Sequence, residues 1–81
     1  MEKNPMSPSQ AFAVTNAEHL ISIFYTDPEE TYIRITKLID EHNIAEHEEI
    51  MTYLYELLVS KGYLEHADAL LKKYNIQTKK S

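Results

Sequence analysis

The residues best suited to chemistry are histidines and carboxylates near the middle of the chain. They lie close together in one short segment: Asp40, Glu41, His42, Glu46 and His47. Side chains of these types bind zinc and other transition metals. However, His42 and His47 are five residues apart across a predicted helix boundary, and neither H-E-x-x-H nor a pair of E-x-x-H motifs is present. We therefore predict a solvated acidic loop and no metal or other cofactor. A zinc site that recruits His19 or His66 is the alternative.

The sequence also lacks the motifs of common enzyme classes. With no cysteine and a single glycine, it has neither a thiol nucleophile nor a glycine-rich loop to cradle phosphate. None of the serines lies in a nucleophile-elbow motif. We therefore predict that the protein is not an enzyme and has no catalytic residues.

The acidic residues are concentrated in the middle of the chain. The 81 residues carry a net charge of −5, and residues 27–49 hold eight carboxylates against only Arg34 and Lys37. This pattern argues against nucleic acid, which binds mainly through cations on phosphates. It leaves open a small acidic regulator or inhibitor, of the phage or mobile-element type, that binds a basic site on a host protein. The residues expected to form its acidic face are Glu29, Glu30, Asp40, Glu41, Glu46, Glu48 and Glu49.

No targeting or membrane-spanning segment is recognisable in the sequence. No apolar run approaches the roughly 20 residues that span a bilayer. The first twelve residues lack a basic region followed by an apolar stretch, which a secretory signal requires. We expect no membrane association and a cytoplasmic location, with the nucleus as the alternative.

Helical periodicity predicts an all-α domain of four helices over residues 10–76. Residues 1–9 and 77–81 are expected to be flexible tails, the second of them basic. Helix one is predicted to begin near Thr15, because Thr15-Asn16-Ala17-Glu18 matches a capping box. An upstream extension through residues 10–14 stays open. Its predicted buried face contains Ala17, Leu20, Ile21 and Phe24.

Helix two has a clear predicted start. Asp27 is the expected N-cap, Pro28 occupies the first helical position, and Glu30 is placed to complete a capping box. The helix should end near His42 or Asn43. Its predicted buried face contains Tyr32, Ile35, Leu38 and Ile39.

Helix three, predicted from about Ala45 to Lys61, is apolar over most of its circumference. Between residues 50 and 60 only Thr52, Glu56 and Ser60 are polar, and their spacing of four places them in one narrow stripe. A helix of this kind is normally buried on nearly all sides. We therefore expect it to be either the central helix of a bundle or a helix that a partner covers.

The last two helices form a predicted hairpin over residues 45–75. Gly62 is expected to end helix three in the left-handed conformation. Helix four is predicted from Leu64 to Tyr74, with Asn75 just after its end and Ala67, Leu70, Leu71 and Tyr74 facing inward. The connection is short enough to force an antiparallel pair.

The spacing within this hairpin resembles the LisH (lissencephaly homology) motif. Residues 50–70 read I-x-x-x-L-x-x-x-L-x-x-x-G-Y-x-x-x-A-x-x-L. The resemblance implies a homodimerisation element in which two hairpins pack as a four-helix bundle. Tetratricopeptide, pentatricopeptide and generic helical hairpins follow nearly the same pattern and stay open as alternatives, although no second copy recurs near 34 residues. No family resemblance covers residues 1–45.

The sequence therefore predicts a non-enzymatic protein-interaction module, most simply a homodimer formed through the hairpin. Tyrosine is enriched at interface hot spots, and this favours Tyr55 as a contact residue. The predicted contact residues are Met51, Tyr55, Leu58 and Val59, and the residues predicted to shape the hairpin are Ile50, Leu54, Tyr63, Ala67 and Leu70.

Overall fold

The computed structural model describes residues 6–23 and 26–76 and shows a small all-α fold, as predicted. The helices are α1 (Pro8–Ser22), α2 (Pro28–Glu41), α3 (Glu48–Ser60) and α4 (Leu64–Tyr74), and a 3-10 turn (Ile44–Glu46) precedes α3. These residues contain no strand. Most of both predicted tails, together with Phe24, lies outside the described residues.

Helix α1 begins at Pro8, so the predicted start at Thr15 is wrong. Ser7 is the N-cap: its hydroxyl accepts from the Gln10 N–H at 3.1 Å, and its own N–H donates to the Gln10 side chain at 3.1 Å. Thr15 lies inside the helix and donates to the Ala11 carbonyl. Both segments fit a capping box, but only the earlier start adds the turn that buries Ala13 and Val14. Pro8 and Ser9, which were assigned to the tail, are therefore helical.

Helix α2 follows the prediction closely. The Asp27 carboxylate accepts from the Glu30 N–H at 3.3 Å, and the helix ends at Glu41 with His42 as its C-cap. The reciprocal half of the predicted capping box is not formed, because the Glu30 carboxylate pairs with Arg34 at 3.0 Å. The buried face is confirmed: Ile35 and Ile39 are fully buried, Tyr32 and Leu38 are half-buried, and Thr31 is also buried.

The chain between α2 and α3 bends more than the sequence predicts. Asn43 adopts the left-handed conformation with φ of 55°, and Ile44 then turns fully into the core. The following residues form the 3-10 turn, so α3 starts at Glu48 and not near Ala45. Burial of Ile44 accounts for the later start of α3. A helix that began at Ala45 would have to continue directly from the bend at Asn43 and Ile44.

Helix α3 is buried mainly on one side, so it is not the central helix of a bundle within this chain, and the expected alternative of cover by a partner stays a prediction. Met51, Leu54 and Leu58 are buried in the core. Tyr53 is 40% exposed and Val59 38% exposed. One chain therefore fully buries a single ridge of this helix and leaves Tyr53 and Val59 exposed. Partly buried beside the ridge are Ile50, Tyr55 and Leu57.

The hairpin turn is a Schellman motif, as the position of Gly62 predicts. Gly62 has φ of +89°, its N–H donates to the Val59 carbonyl, and the Tyr63 N–H donates to the Leu58 carbonyl, both at 2.9 Å. The bounds of α4 and the left-handed Asn75 after it are also confirmed.

The core lies where all four helices meet. Helix α1 packs against α2 and α3, and α3 packs against α4. The buried apolar residues are Ala13, Val14, Ala17, Ile21, Ile35, Ile39, Ile44, Met51, Leu54, Leu58, Ala67 and Leu70. Helices α1 and α2 thus cover the inner side of the hairpin within one chain.

The two candidate caps of α1 give a matched pair of substitutions. Ser7→Ala removes the N-cap and should lower the free energy of unfolding by about 1 kcal/mol. Thr15→Ala should be neutral or slightly stabilising, because alanine is the better helix former by a few tenths of a kcal/mol. Urea unfolding of both variants measures the difference. A larger loss for Thr15→Ala would contradict the start of α1 at Pro8.

Candidate interaction surface

Five of the nine predicted interface residues lie in the core of the single chain. Each is at most 2% exposed, which removes them from the surface available to a partner: Met51, Leu54, Leu58, Ala67 and Leu70. Met51 and Leu58, which the sequence predicts as contact residues, instead lie in the core. Their spacing correctly indicated one apolar ridge, but spacing alone does not say which helix covers a ridge.

Four of the remaining apolar residues of the hairpin lie beside its buried ridges. Tyr55 and Leu71 are half-buried, Val59 is 38% exposed and Leu64 is 61% exposed. Each successive residue is rotated about 100° around a helix. By this rotation, Tyr55 and Val59 lie to one side of the buried ridge of α3. Leu64 and Leu71 are displaced from the buried ridge of α4 in the same rotational sense. In each helix the pair therefore lies beside the buried ridge. We call these four residues the outer seam.

The sequence prediction missed Leu64 as a surface residue of this seam. The available signal was its spacing of seven from Leu71, which places both residues on one face of a helix. The other two predicted residues, Ile50 and Tyr63, are half-buried and pack against the core.

The opposite side of α3 faces α1 through a polar contact. The Tyr53 hydroxyl donates to the Glu18 carboxylate. This hydrogen bond is the largest cause that raises the pKa of Tyr53. Desolvation of the Tyr53 hydroxyl and the negative charge of Glu18 raise this pKa further. The contact gives Tyr53 a polar partner within the chain, and its side chain stays 40% exposed.

Tyr74 ties the end of α4 to α2. Its hydroxyl lies 2.8 Å from the Asp40 carboxylate and 3.3 Å from the Thr36 carbonyl. Burial, followed by the hydrogen bond and the charge of Asp40, raises the pKa of Tyr74 well above its usual range. At the other end of the same helix pair, the rings of His66 and Tyr32 lie 5.4 Å apart between centroids.

The predicted acidic face is divided between two regions. Glu29 and Glu30 lie at the start of α2, whereas Asp40 and Glu41 lie at its end, about 15 Å farther along the helix axis. This second pair is followed in the chain by Glu46 in the 3-10 turn and by Glu48 and Glu49 at the start of α3. Several of the seven have internal partners: Glu30 pairs with Arg34, Asp40 accepts from Tyr74, and Glu46 accepts from Gln10.

The histidines of the loop between α2 and α3 belong to a hydrogen-bonded polar cluster. Gln10 is buried there, and its amide donates to the His42 carbonyl at 2.8 Å and to the Glu46 carboxylate at 3.2 Å. His47 Nε2 lies 3.1 Å from Gln10 Oε1, and His42 Nδ1 lies 3.0 Å from the Ser9 hydroxyl. Nowhere in residues 6–23 and 26–76 do three histidine, aspartate or glutamate side chains converge to hold a metal ion.

An open groove of about 270 Å³ lies where the end of α4 meets the start of α3. It is lined by Ala45, Glu48, Met51, Tyr74, Asn75 and Ile76. Its volume is below the range of roughly 300–1,000 Å³ that is usual for small-molecule sites. The outer seam is therefore the stronger candidate for a binding surface.

Comparisons with models of protein families, with curated proteins and with solved structures found no match for this chain. None of the helices in the described part of the chain has the length and apolar character needed to cross a membrane.

Replacing Tyr74 by phenylalanine tests the tie between α4 and α2. Tyr74→Phe should lower the free energy of unfolding by about 1 kcal/mol at neutral pH, because the hydrogen bond that the Tyr74 hydroxyl donates to Asp40 is lost. The raised pKa means that the unfolded chain ionises first above the ordinary value of 10.0. The advantage of the wild type should therefore be full below pH 10 and decline as the pH rises above it.

Thermal unfolding of wild type and variant from pH 7 to pH 11 measures both effects. Tyr55→Phe is the matched control, because the Tyr55 hydroxyl has no hydrogen-bond partner among the described residues. Equal stabilities of Tyr74→Phe and wild type at pH 7 would show that the tie contributes nothing.

Proposed function

We propose that this protein is a non-enzymatic protein-interaction module that self-associates through the outer seam of the α3–α4 hairpin. The observation that carries the proposal is that Val59 and Leu64 of this seam are exposed in the single chain and that Tyr55 and Leu71 are only half-buried. Exposed apolar patches mark interaction sites, and tyrosine is enriched at interface hot spots. An 81-residue domain also gains stability from association, because its own core is small.

The LisH-like spacing of residues 50–70 supports the same proposal. In that family, such hairpins associate in pairs as four-helix bundles. The inner ridge that carries the spacing, Leu54 and Leu58 with Ala67 and Leu70, is covered here by α1 and α2. We therefore propose that helices of the same chain complete the bundle and that a second copy binds on the outside of the hairpin.

The absence of an enzymatic role remains part of the proposal, as does a cytoplasmic location. In support of the first, side chains that could do chemistry contact each other across helices. Ser9 contacts His42, Gln10 contacts His47, and Tyr74 contacts Asp40. These contacts join separate parts of the fold, so a structural role is sufficient to explain why these polar residues are present.

The alternative of an acidic regulator that binds a basic host protein has less support. Its seven carboxylates are divided between two regions, and several of them have partners within the chain. Rapid, salt-sensitive association with a basic partner would favour it.

Self-association can be tested with two glutamate substitutions at similarly exposed apolar residues. Leu64→Glu changes a residue of the outer seam, and Ile33→Glu changes a residue of α2. The Leu64 side chain is 61% exposed and the Ile33 side chain is 56% exposed. Light scattering across a dilution series should show a dimer for wild type. Leu64→Glu should weaken that dimer at least about tenfold, because burying a leucine contributes about 1.5–3 kcal/mol. Ile33→Glu should leave it unchanged.

Tyr55→Glu is a second seam substitution, and it should also give a monomer. Circular dichroism establishes that each variant keeps its helices. A wild-type monomer at every concentration would refute self-association, and an equal effect of Ile33→Glu and Leu64→Glu would refute the outer seam as the interface.

A further inference from the structure

We propose that the open groove where the end of α4 meets the start of α3 binds a short basic segment of a partner protein, with one apolar side chain of that segment in the groove. The groove has an apolar base and carboxylates beside it. It shares no lining residue with the outer seam, and this inference does not rest on the proposed self-association.

The apolar base of the groove is already formed in the single chain. Met51 is 2% exposed and borders the groove together with Ala45 and Ile76. The Ile76 N–H donates to the Leu71 carbonyl at 3.0 Å, which holds the chain after α4 beside the groove. The volume of about 270 Å³ is small for a separate ligand, but a single side chain of a partner needs less room.

Three carboxylates adjoin this apolar base. Glu48 lines the groove itself, and Glu46 directly follows the lining residue Ala45. The Asp40 carboxylate lies 2.8 Å from the hydroxyl of Tyr74, which also lines the groove. The rim therefore draws its acidic residues from α2, from the 3-10 turn and from α3.

The negative charges of this rim are not cancelled within the fold. The hydrogen bonds to Asp40 and Glu46 come from a tyrosine hydroxyl and from the Gln10 amide, and both donors are neutral. His47 Nε2 lies 3.5 Å from Glu46, but it is a cation only when it is protonated. Within residues 6–23 and 26–76, none of the three carboxylates forms an ion pair with a lysine or an arginine.

The charge of the rim decides the chemistry of the occupant. Lysine or arginine beside a buried apolar side chain would be attracted to the rim, which makes association fast and salt-sensitive. Lys73 Nζ lies 5.3 Å from the centroid of the Tyr74 ring, but the three carboxylates outnumber it. A second copy of this chain would bring a further net charge of −5 to an acidic rim, so a basic segment of another protein fits better.

The probe is a five-residue peptide with a central leucine and two lysines on each side, acetylated and amidated at its ends. An NMR titration of the full chain gives both its position and its dissociation constant. The largest shifts should fall on Ala45, Met51 and Ile76. The same peptide with glycine in place of leucine should bind at least about tenfold more weakly, because the apolar contact is lost.

Filling the groove tests the position of the site. Ala45→Trp places a large side chain in the groove, whereas Ala69→Trp changes an equally exposed class of residue on α4 outside the lining. Ala45→Trp should weaken binding of the leucine peptide at least about tenfold. Ala69→Trp should leave it unchanged.

Reversing one charge tests the acidic rim. Glu48→Lys and Glu29→Lys make the same change of charge in the first turn of a helix, but only Glu48 lines the groove. Glu48→Lys should weaken binding about tenfold at low salt, and Glu29→Lys less than twofold, because distant charges are screened.

Several results would overturn the inference. One is no binding of the leucine peptide at millimolar concentration, and others are equal binding of the two peptides or undiminished binding to Ala45→Trp. Lys79→Gln combined with Lys80→Gln tests the basic end of the chain itself as the occupant. If this double variant binds the peptide at least about tenfold more tightly than wild type, the groove belongs to the chain's own last residues and not to a partner.

The two proposals can fail separately. Leu64→Glu, which tests the outer seam, should leave binding of the leucine peptide unchanged, and Ala45→Trp should leave the light-scattering mass of the wild type unchanged. A dimer lost in Ala45→Trp would identify a second copy as the occupant and refute the basic partner. Circular dichroism checks that each variant keeps its helices, and only folded variants enter the comparison.

Discussion

Met51, Leu54 and Leu58 form one ridge of α3, and the arrangement of the other helices follows from covering it. Helix α4 packs on one side of this ridge and α1 on the other, while α2 supports α1. Removal of this apolar area from water is the main favourable contribution to folding, so the chain must place α1 there.

Two polar residues then fix how the helices meet at their ends. Gln10 joins the start of α1 to the loop that carries His42 and His47. Tyr74 joins the end of α4 to α2 through Asp40 and Thr36. A buried polar group without a partner is costly, so these contacts favour one arrangement of the helices over others that fill the core equally well.

Filling the core from one chain has a consequence for function. The inner side of the hairpin, which the LisH-like spacing implicates in dimerisation, is no longer accessible, while the outer seam retains Tyr55, Val59, Leu64 and Leu71. The surface proposed for binding is therefore what remains of an unusually apolar helix after its own chain has covered one ridge.

The sequence by itself determined the helices whose signals are local. Asp27 with Pro28 marked the start of α2, and Gly62 marked the hairpin turn, because caps and left-handed residues act within a few positions. The sequence did not choose between Ser7 and Thr15 as the first cap, since both match the same pattern and only burial of Ala13 and Val14 favours the earlier one. For the candidate site, it located the hairpin and identified Tyr55 and Val59, but it also named Met51 and Leu58. Only the tertiary structure decided which apolar face of α3 is covered and which is open, because periodicity places residues on faces of a helix, whereas burial depends on residues distant in the chain.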